Sequence, residues 1–477
     1  MISSELTALT LRQQSDLIRD RLLSPVELTE AYLAQIDALN PSLNAYITVT
    51  AEHAQSRAAH AATEIANGAY RGPLHGVTYG IKDQFFTRAA PTTLAWKQLH
   101  ANQVDTDAAV VERLDAAGAI LIGKHNLDQF GKGGATSWDF GEPRNPWNLA
   151  HSPTGSSQGS AAAMAAGLCS VAIGEDTGGS VRMPAAACGL AGLRPTFGRV
   201  SRFGGYLYGW TADTIGPLTR TVEDNALVLE VLAGYDVRDP LSVATPVSKY
   251  SEMLTMDLTG VRIGVVTNLA QSPALRDDVK HAFNATVETL RELGATVTAV
   301  TLPSASYAVP LLMLSSDVDV ATQLLRKYLR EHYNEIDYGI RTRLAAACLM
   351  PASAYATAMQ GRAVVRAEVL AQFDALDCLV TPMTPQPAPI LGRKAEPLSS
   401  PTDFWEAVVK SRIFSYPFSL ANTPALSVLN GFTEAEVLPI GFQIVAPPFR
   451  EDVVYRVGHA YEQATSWHTR RPTLAAL

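Results

Sequence analysis

Cysteine is scarce, four residues in 477, and none of the four has the paired spacing of a metal site. Cys169, Cys188, Cys348 and Cys378 each lie among apolar or small neighbours, the usual company of buried thiols. The ten histidines are scattered and no His-Glu-x-x-His occurs, so a zinc hydrolase has no support. Basic residues are not in excess: 38 Lys and Arg stand against 46 Asp and Glu, a formal net charge of −8, which argues against a broad nucleic-acid-binding face. No run of 18 strongly apolar residues occurs, so no membrane span is expected. The opening MISSELTALTLRQQ lacks the basic and then long apolar segments of a secretory signal, which points to the cytoplasm. Repeats, coiled-coil heptads and long low-complexity tails are also lacking.

With 47% hydrophobic and 18% charged residues, the chain has the composition of a folded protein. Its length allows one large core or two to three units. Ser24-Pro25-Val26-Glu27 is a helix start: a capping serine, proline at the first helical position and glutamate to close the box. The helix is expected to end near Asn40-Pro41. With a second, alanine-rich helix over 51–66, residues 1–70 read as an N-terminal helical region laid over the core. From 71 onward short apolar runs alternate with helical segments: strand-like 76–81, helix 107–118, strand 119–123, helix 221–232. The same grammar resumes after a break at 234–259, with strand 261–266, helix 277–293 and strand 295–302. Residues 308–375 read as helical, 404–417 as an aromatic-rich helix, and a helix over 451–466 closes the chain. The pattern predicts an α/β fold, one large α/β/α sandwich whose mixed, mostly parallel central sheet is covered by helices. Its catalytic core spans 71–232 within a domain of 71–470, and residues 260–470 continue the sheet and line a pocket.

The densest chemistry lies in residues 151–182, HSPTGSSQGSAAAMAAGLCSVAIGEDTGGSVR. Two Gly/Ser-rich turns flank a small-residue segment and a short apolar run. At the second turn, Asp176-Thr177-Gly178-Gly179-Ser180, one hydroxyl sits beside consecutive N–H groups that glycine leaves uncovered, a sound place for an acyl-transfer nucleophile. No Walker ending, no G-x-G-x-x-G with its distant acid and no G-x-S-x-G elbow is present. By local sequence alone, Gly178-Gly179-Ser180 is equally a plain polar turn. Lys82, directly after an apolar strand, reads locally as a surface end residue.

Taken together the motifs resemble those of the amidase signature family. Its G-G-S-S-G-G-S appears as Thr154-Gly155-Ser156-Ser157-Gln158-Gly159-Ser160, and its D-T-G-G-S-[IV]-R as Asp176 to Arg182. Gly80-Ile81-Lys82-Asp83, Arg144-Asn145-Pro146-Trp147, Gly192-Leu193-Arg194-Pro195-Thr196-Phe197-Gly198-Arg199, Gly216-Pro217-Leu218-Thr219-Arg220 and Leu438-Pro439-Ile440-Gly441-Phe442-Gln443 also match, so the likeness runs from the Ser24 helix to about residue 466. The resemblance implies a Ser-Ser-Lys triad: Ser180 as nucleophile, Ser156 as the intermediate hydroxyl next to a cis peptide bond, Lys82 as terminal base. It implies an oxyanion hole of the amides from Thr177, Gly178, Gly179 and Ser180. Asp83, Gly155, Ser157, Gln158, Asp176 and Arg182 become supporting residues, with Asp176 and Arg182 holding the loop by charge-assisted hydrogen bonds. Two positions depart from the pattern, Thr154 and Gln158, each where the family has glycine. A positive φ at 158 would strain glutamine; alternatively its amide reaches toward the pocket or a neighbouring loop.

The resemblance also implies hydrolysis of a carboxylic amide, with esters and carbamates in reach of the same acyl-enzyme, and no cofactor or metal. Aromatic residues in the loops (Phe85, Phe86, Trp96, 130–139, 204–210, 404–418) lead us to expect a partly apolar pocket. The main expectation is a free-standing amidase; the first alternative is the glutaminase subunit of a glutamyl/aspartyl-tRNA amidotransferase, the second an inactive scaffold. The expected partners are a small amide and water, with no membrane, nucleic acid only under the amidotransferase reading, and a homodimer left open.

Overall fold

Ser24 caps the helix Pro25–Leu43 as the sequence requires, accepting from the Val26 amide at 3.2 Å while Glu27 accepts from the Ser24 amide at 3.0 Å. The computed structural model described here comprises residues 3–392, 400–404 and 408–474. The helix passes its expected end by two residues, because Pro41 lies in the last turn. Asp37, whose carbonyl loses its partner there, is exposed and open to water. The turn falls instead at Asn44, left-handed at φ 50°.

Eleven strands form one sheet. In chain order they are β1 (Tyr46–Val49), β2 (Thr78–Lys82), β3 (Ile120–His125), β4 (Val171–Asp176), β5 (Ala191–Arg194), β6 (Thr214–Thr219), β7 (Arg262–Val266), β8 (Thr296–Val300), β9 (Cys378–Pro382), β10 (Ala425–Phe432) and β11 (Pro439–Val445). Across the sheet they run β1-β3-β2-β4-β6-β5-β10-β11-β9-β7-β8. The architecture is the expected α/β/α sandwich with a mixed sheet covered by helices. One detail differs: β2 pairs in parallel with β3 and β4, and β7 with β8 and β9, but the other six pairings are antiparallel. The alternation of strands and helices signals only crossovers. It does not show that β6 inserts between β4 and β5, or that β10 and β11 return as a hairpin beside β5.

Residues of β2, β3, β4, β5, β6 and β9 are all buried, as strands covered on both faces must be. Leu6, Leu11, Ile18 and Leu28 of the N-terminal helices join the apolar cluster that contains Ile81, Ile122, Ile173 and Leu193 of the sheet. The N-terminal region also supplies β1, antiparallel to β3. Cys169, Cys188 and Cys378 are buried free thiols, whereas Cys348 is exposed, since its alanine-rich helix packs through Ile340, Leu344 and Ala347. The aromatic-rich helix expected over 404–417 is described only in part: 405–407 lie outside the described residues, and short helices Lys410–Arg412 and Tyr416–Ala421 flank a break. Among the described residues no single helix is long and apolar enough to cross a membrane.

Candidate active site

Parallel pairing of β2 with β4 aligns Ile81 with Ile173 and brings the carboxyl ends of both strands to one edge. Lys82 ends β2 and Glu175-Asp176 end β4. Lys82 is wholly buried, not a surface residue, because the loops that follow both strands fold back over this edge. Its Nζ donates to Ser156 Oγ at 2.8 Å and to Glu175 Oε2 at 3.2 Å. Ser156 is also fully buried and follows a cis peptide bond from Gly155.

Ser180 lies on the turn after β4, half-buried, and lines a pocket together with Gly155, Thr177 and Gly178. The Ser157 amide donates to the Ser180 carbonyl at 3.3 Å, tying the two Gly/Ser turns together. Ser157 Oγ in turn sits 3.4 Å from the Glu175 amide that donates to it. Gly178 is required by close approach: a Cβ there would stand 2.5 Å from the Tyr416 ring. Gly179 is required by conformation, with φ 122°. Its amide donates to Asp176 Oδ1 at 2.8 Å. Among the described residues the amides of Thr177, Gly178 and Ser180 have no protein acceptor, and all three residues line the pocket.

Asp176 and Arg182 are buried to the last atom, as is Arg194. Arg182 Nε donates to Asp176 Oδ2 at 3.0 Å, Arg194 to Asp176 Oδ1 at 3.2 Å, and the Val181 amide to Asp176 Oδ2 at 3.2 Å. Burial alone would raise the Asp176 carboxyl; Arg182 and Arg194 overcome it and hold the group well below the ordinary carboxylate range. Arg182 is anchored further by Gln443 Oε1 at 3.0 Å and Ser419 Oγ at 2.8 Å, so the motif at 438–443 braces the Ser180 turn.

Asp83 turns away from Lys82. It pairs with buried Lys124 at 2.8 Å and accepts the Thr93 amide at 3.0 Å; burial raises its carboxyl against the pull of Lys124. The anion that faces Lys82 is Glu175. Burial pushes the Glu175 carboxyl up to about 7 despite Lys82. Motif reasoning passes over Glu175, because only the register of β2 against β4 sets this carboxylate beside Lys82, and over Asp213, whose Oδ1 lies 2.7 Å from Thr177 Oγ1.

Strain falls at the other departing position from the one considered. Gln158 begins the helix Gln158–Ala165 and takes no positive φ; its Oε1 accepts the Asp128 amide at 3.1 Å, so it reaches a neighbouring loop. Thr154 carries the left-handed φ of 62°. The pocket is also more charged than the aromatic loops foretold. Lys132 and Arg343 both bind Asp317, at 2.7 and 2.9 Å, and Arg412 lines the same pocket with its guanidinium unpaired among the described residues. Trp96, Phe130, Tyr208 and Tyr328 pack with one another in a separate core cluster; among the described residues only Tyr416 brings an aromatic ring to the pocket wall. Among the described residues no group of three or more His, Cys, Asp or Glu is arranged to hold a metal ion.

Comparison with known proteins gives a concordant result. The Amidase family profile matches residues 27–454. A glutamyl-tRNA(Gln) amidotransferase subunit of Geobacter metallireducens is 39% identical, over 98% of this chain and 99% of that protein. A chain solved within a vestigial protein complex bearing on the evolutionary origins of an s-triazine catabolic enzyme superposes with TM-score 0.88 at 30% identity, covering 95% of this chain and 98% of its own. A 6-aminohexanoate cyclic dimer hydrolase solved with its substrate gives TM-score 0.87 at 29% identity, over 98% and 99% of the two chains. With its buried lysine against a serine after a cis bond and its glycine turn at a second serine, this chain belongs to the amidase signature family of hydrolases.

Proposed function

We propose that Ser180 opens an amide carbonyl, Ser156 relays its proton and Lys82 receives it. The observation that carries this is the 2.8 Å contact between Lys82 Nζ and Ser156 Oγ in a site closed to water, beside a turn that presents Ser180 to the pocket. The amides of Thr177, Gly178 and Ser180 take the oxyanion; that of Gly179 is held by Asp176 and keeps the turn in shape. One such donor is worth about 3–4 kcal/mol in the transition state. The proton then passes back through Ser156 to the leaving nitrogen, and water releases the acyl group along the same route.

For the substrate, the relatives support glutamine, with the chain acting as the amidase component of a tRNA amidotransferase and handing ammonia to partner subunits. What supports this is 36–39% identity to such proteins along nearly the whole chain. A second reading, a free-standing hydrolase of an amide that bears an anionic group, is favoured by the pocket. Three cations, Lys132, Arg343 and Arg412, face one carboxylate, and that carboxylate is engaged by two of them. Glutamine would bring an ammonium as well as a carboxylate. Ammonia release is to be measured from glutamine, a neutral aliphatic amide, an anilide and an N-acyl amino-acid amide, with and without added partner subunits. Glutaminase activity that requires the partners supports the first reading; partner-independent turnover of the anionic amide alone supports the second. Labelling by a serine-directed phosphonate that survives Ser180→Ala refutes the nucleophile.

A further inference from the structure

Thr177 has one hydroxyl proton, yet its Oγ1 lies 2.8 Å from Glu175 Oε1 and 2.7 Å from Asp213 Oδ1. One proton cannot serve two ionised carboxylates at those distances, so the row Glu175–Thr177–Asp213 holds a second proton. At one end Glu175 Oε2 meets Lys82 Nζ at 3.2 Å; at the other Asp213 Oδ2 accepts the Gly209 amide at 2.8 Å. Lys82, Glu175 and Asp213 are each 4% exposed or less, so the row is set apart from bulk solvent. The charged groups around Glu175 are Lys82 on β2, Asp213 just before β6, Asp176 on β4 itself and Arg194 on β5; Asp128, in the loop after β3, acts on Lys82.

We propose that Glu175 is the proton partner of Lys82, a positioning residue that draws the proton from the ammonium so that Lys82 enters the reaction as an amine. The proposal rests on the Ser180–Ser156–Lys82 reading above. An N–H bond of the ammonium breaks and an O–H bond forms on Glu175, turning an ion pair into two neutral groups with no change in total charge. In a dry site that exchange is favoured by the cost of burying separate charges. Ser180 then attacks, its proton moves to Ser156, and the Ser156 proton moves to the Lys82 lone pair. When the leaving nitrogen takes its proton through Ser156, Lys82 is an amine again and Glu175 has kept its own proton throughout. A second proton on the pair gives an ammonium beside a neutral acid, which has no base to offer.

The test is the pH dependence of inactivation of the full chain by a fluorophosphonate, which reads Ser180 reactivity without a known substrate. Wild type should lose rate about tenfold per pH unit below about 7, where the pair takes up its second proton. In Glu175→Gln the amide stands in for the neutral acid, so the proton taken up in acid meets the same surroundings and the acid limb should stay within about 0.5 pH unit of wild type. The variant-to-wild-type rate ratio should therefore stay flat between about pH 5.5 and about pH 9, whereas an ion pair would leave wild type short of amine and make the ratio climb with pH. Glu175→Asp should keep the limb, and Asp213→Asn, which removes a nearby negative charge, should move it to lower pH. A ratio that climbs about tenfold or more from about pH 5.5 to about pH 9 in folded Glu175→Gln overturns the proposal. If that variant does not fold, an Asp213→Asn profile that superimposes on wild type overturns it instead. Inactivation that survives Ser180→Ala sinks the underlying triad reading rather than the role of Glu175.

Discussion

Glu175 and Asp176 are neighbours at the end of β4, equally buried, and their surroundings differ in one respect that decides their chemistry. Asp176 faces two guanidinium groups, those of Arg182 and Arg194, and the Gly179 and Val181 amides donate to it as well. Glu175 faces one lysine, whose proton can move, and shares a threonine with a second carboxyl. Alternation along a strand sends adjacent side chains to opposite faces, so one step in sequence separates a fixed brace from a proton-exchanging pair. A group with more than enough permanent countercharge can only hold structure. One with a titratable partner can take part in catalysis.

The largest effect should come from breaking the exchanging side. Lys82→Met removes the proposed terminal base while keeping a side chain of similar length, and should lower the rate of serine labelling about 10³-fold. Active-site titration of a variant whose melting transition is intact checks this. Breaking the fixed side should instead cost stability. Asp176→Asn leaves two buried guanidinium groups without their anion, an expected loss of about 3–5 kcal/mol read from the denaturant midpoint. Activity should fall with it, because the Gly179 amide loses its acceptor and the turn its shape.

The pH dependence of stability should separate the two neighbours by sign. The Asp176 carboxyl is depressed in the folded state, so its contribution is present above the unfolded value of about 3.9 and is lost as pH falls below it. The Glu175 carboxyl is raised to about 7, so its contribution is present below about 4.3 and is lost as pH rises toward 7. Relative to wild type, the deficit of Asp176→Asn should therefore shrink in strong acid, while that of Glu175→Gln should shrink from about pH 4 to pH 7. Unfolding free energies at a series of pH values decide it, and parallel trends would erase the contrast. The smallest effect concerns the loop across from both. Thr154 holds a left-handed backbone that glycine adopts freely, so Thr154→Gly should be neutral to stabilising by about 0.5 kcal/mol, seen as an unchanged or slightly higher melting temperature.

Much of this site is legible in the linear sequence, because its parts are local. The Ser24 box, the glycine turn at 178–179 and the strand ending in Lys82 follow from rules that act over a few residues. What misleads is equally physical. Gln158 looks like the strained position, since nothing local says which residue of a Gly/Ser-rich turn takes positive φ; Gln158 begins a helix, and the left-handed residue is Thr154. Asp83 looks like the natural companion of Lys82, but adjacent strand residues point apart, and Lys124 claims it. The aromatic loops promise a partly apolar pocket, yet Trp96, Phe130 and Tyr208 pack into a core cluster, and the apolar part of the wall comes from Met183, Leu312, Met313 and Tyr416 beside Lys132, Arg343 and Arg412.

The sequence by itself determined the α/β class, the Ser24 helix start and a glycine turn that bares its amides beside Ser180, because each is written in contiguous residues whose backbone demands are short-ranged; the roles of Lys82, Asp176 and Arg182 came from the resemblance to a family. Tertiary structure alone decided which strands run antiparallel, which carboxyl faces Lys82 and what charge lines the pocket. Those depend on register between strands distant in sequence, such as β2 against β4, and on loops from 132 to 412 meeting at one edge of the sheet. Burial there removes water as the default partner of every charge, so the identity of the facing side chain, invisible in the linear order, sets what each group can do.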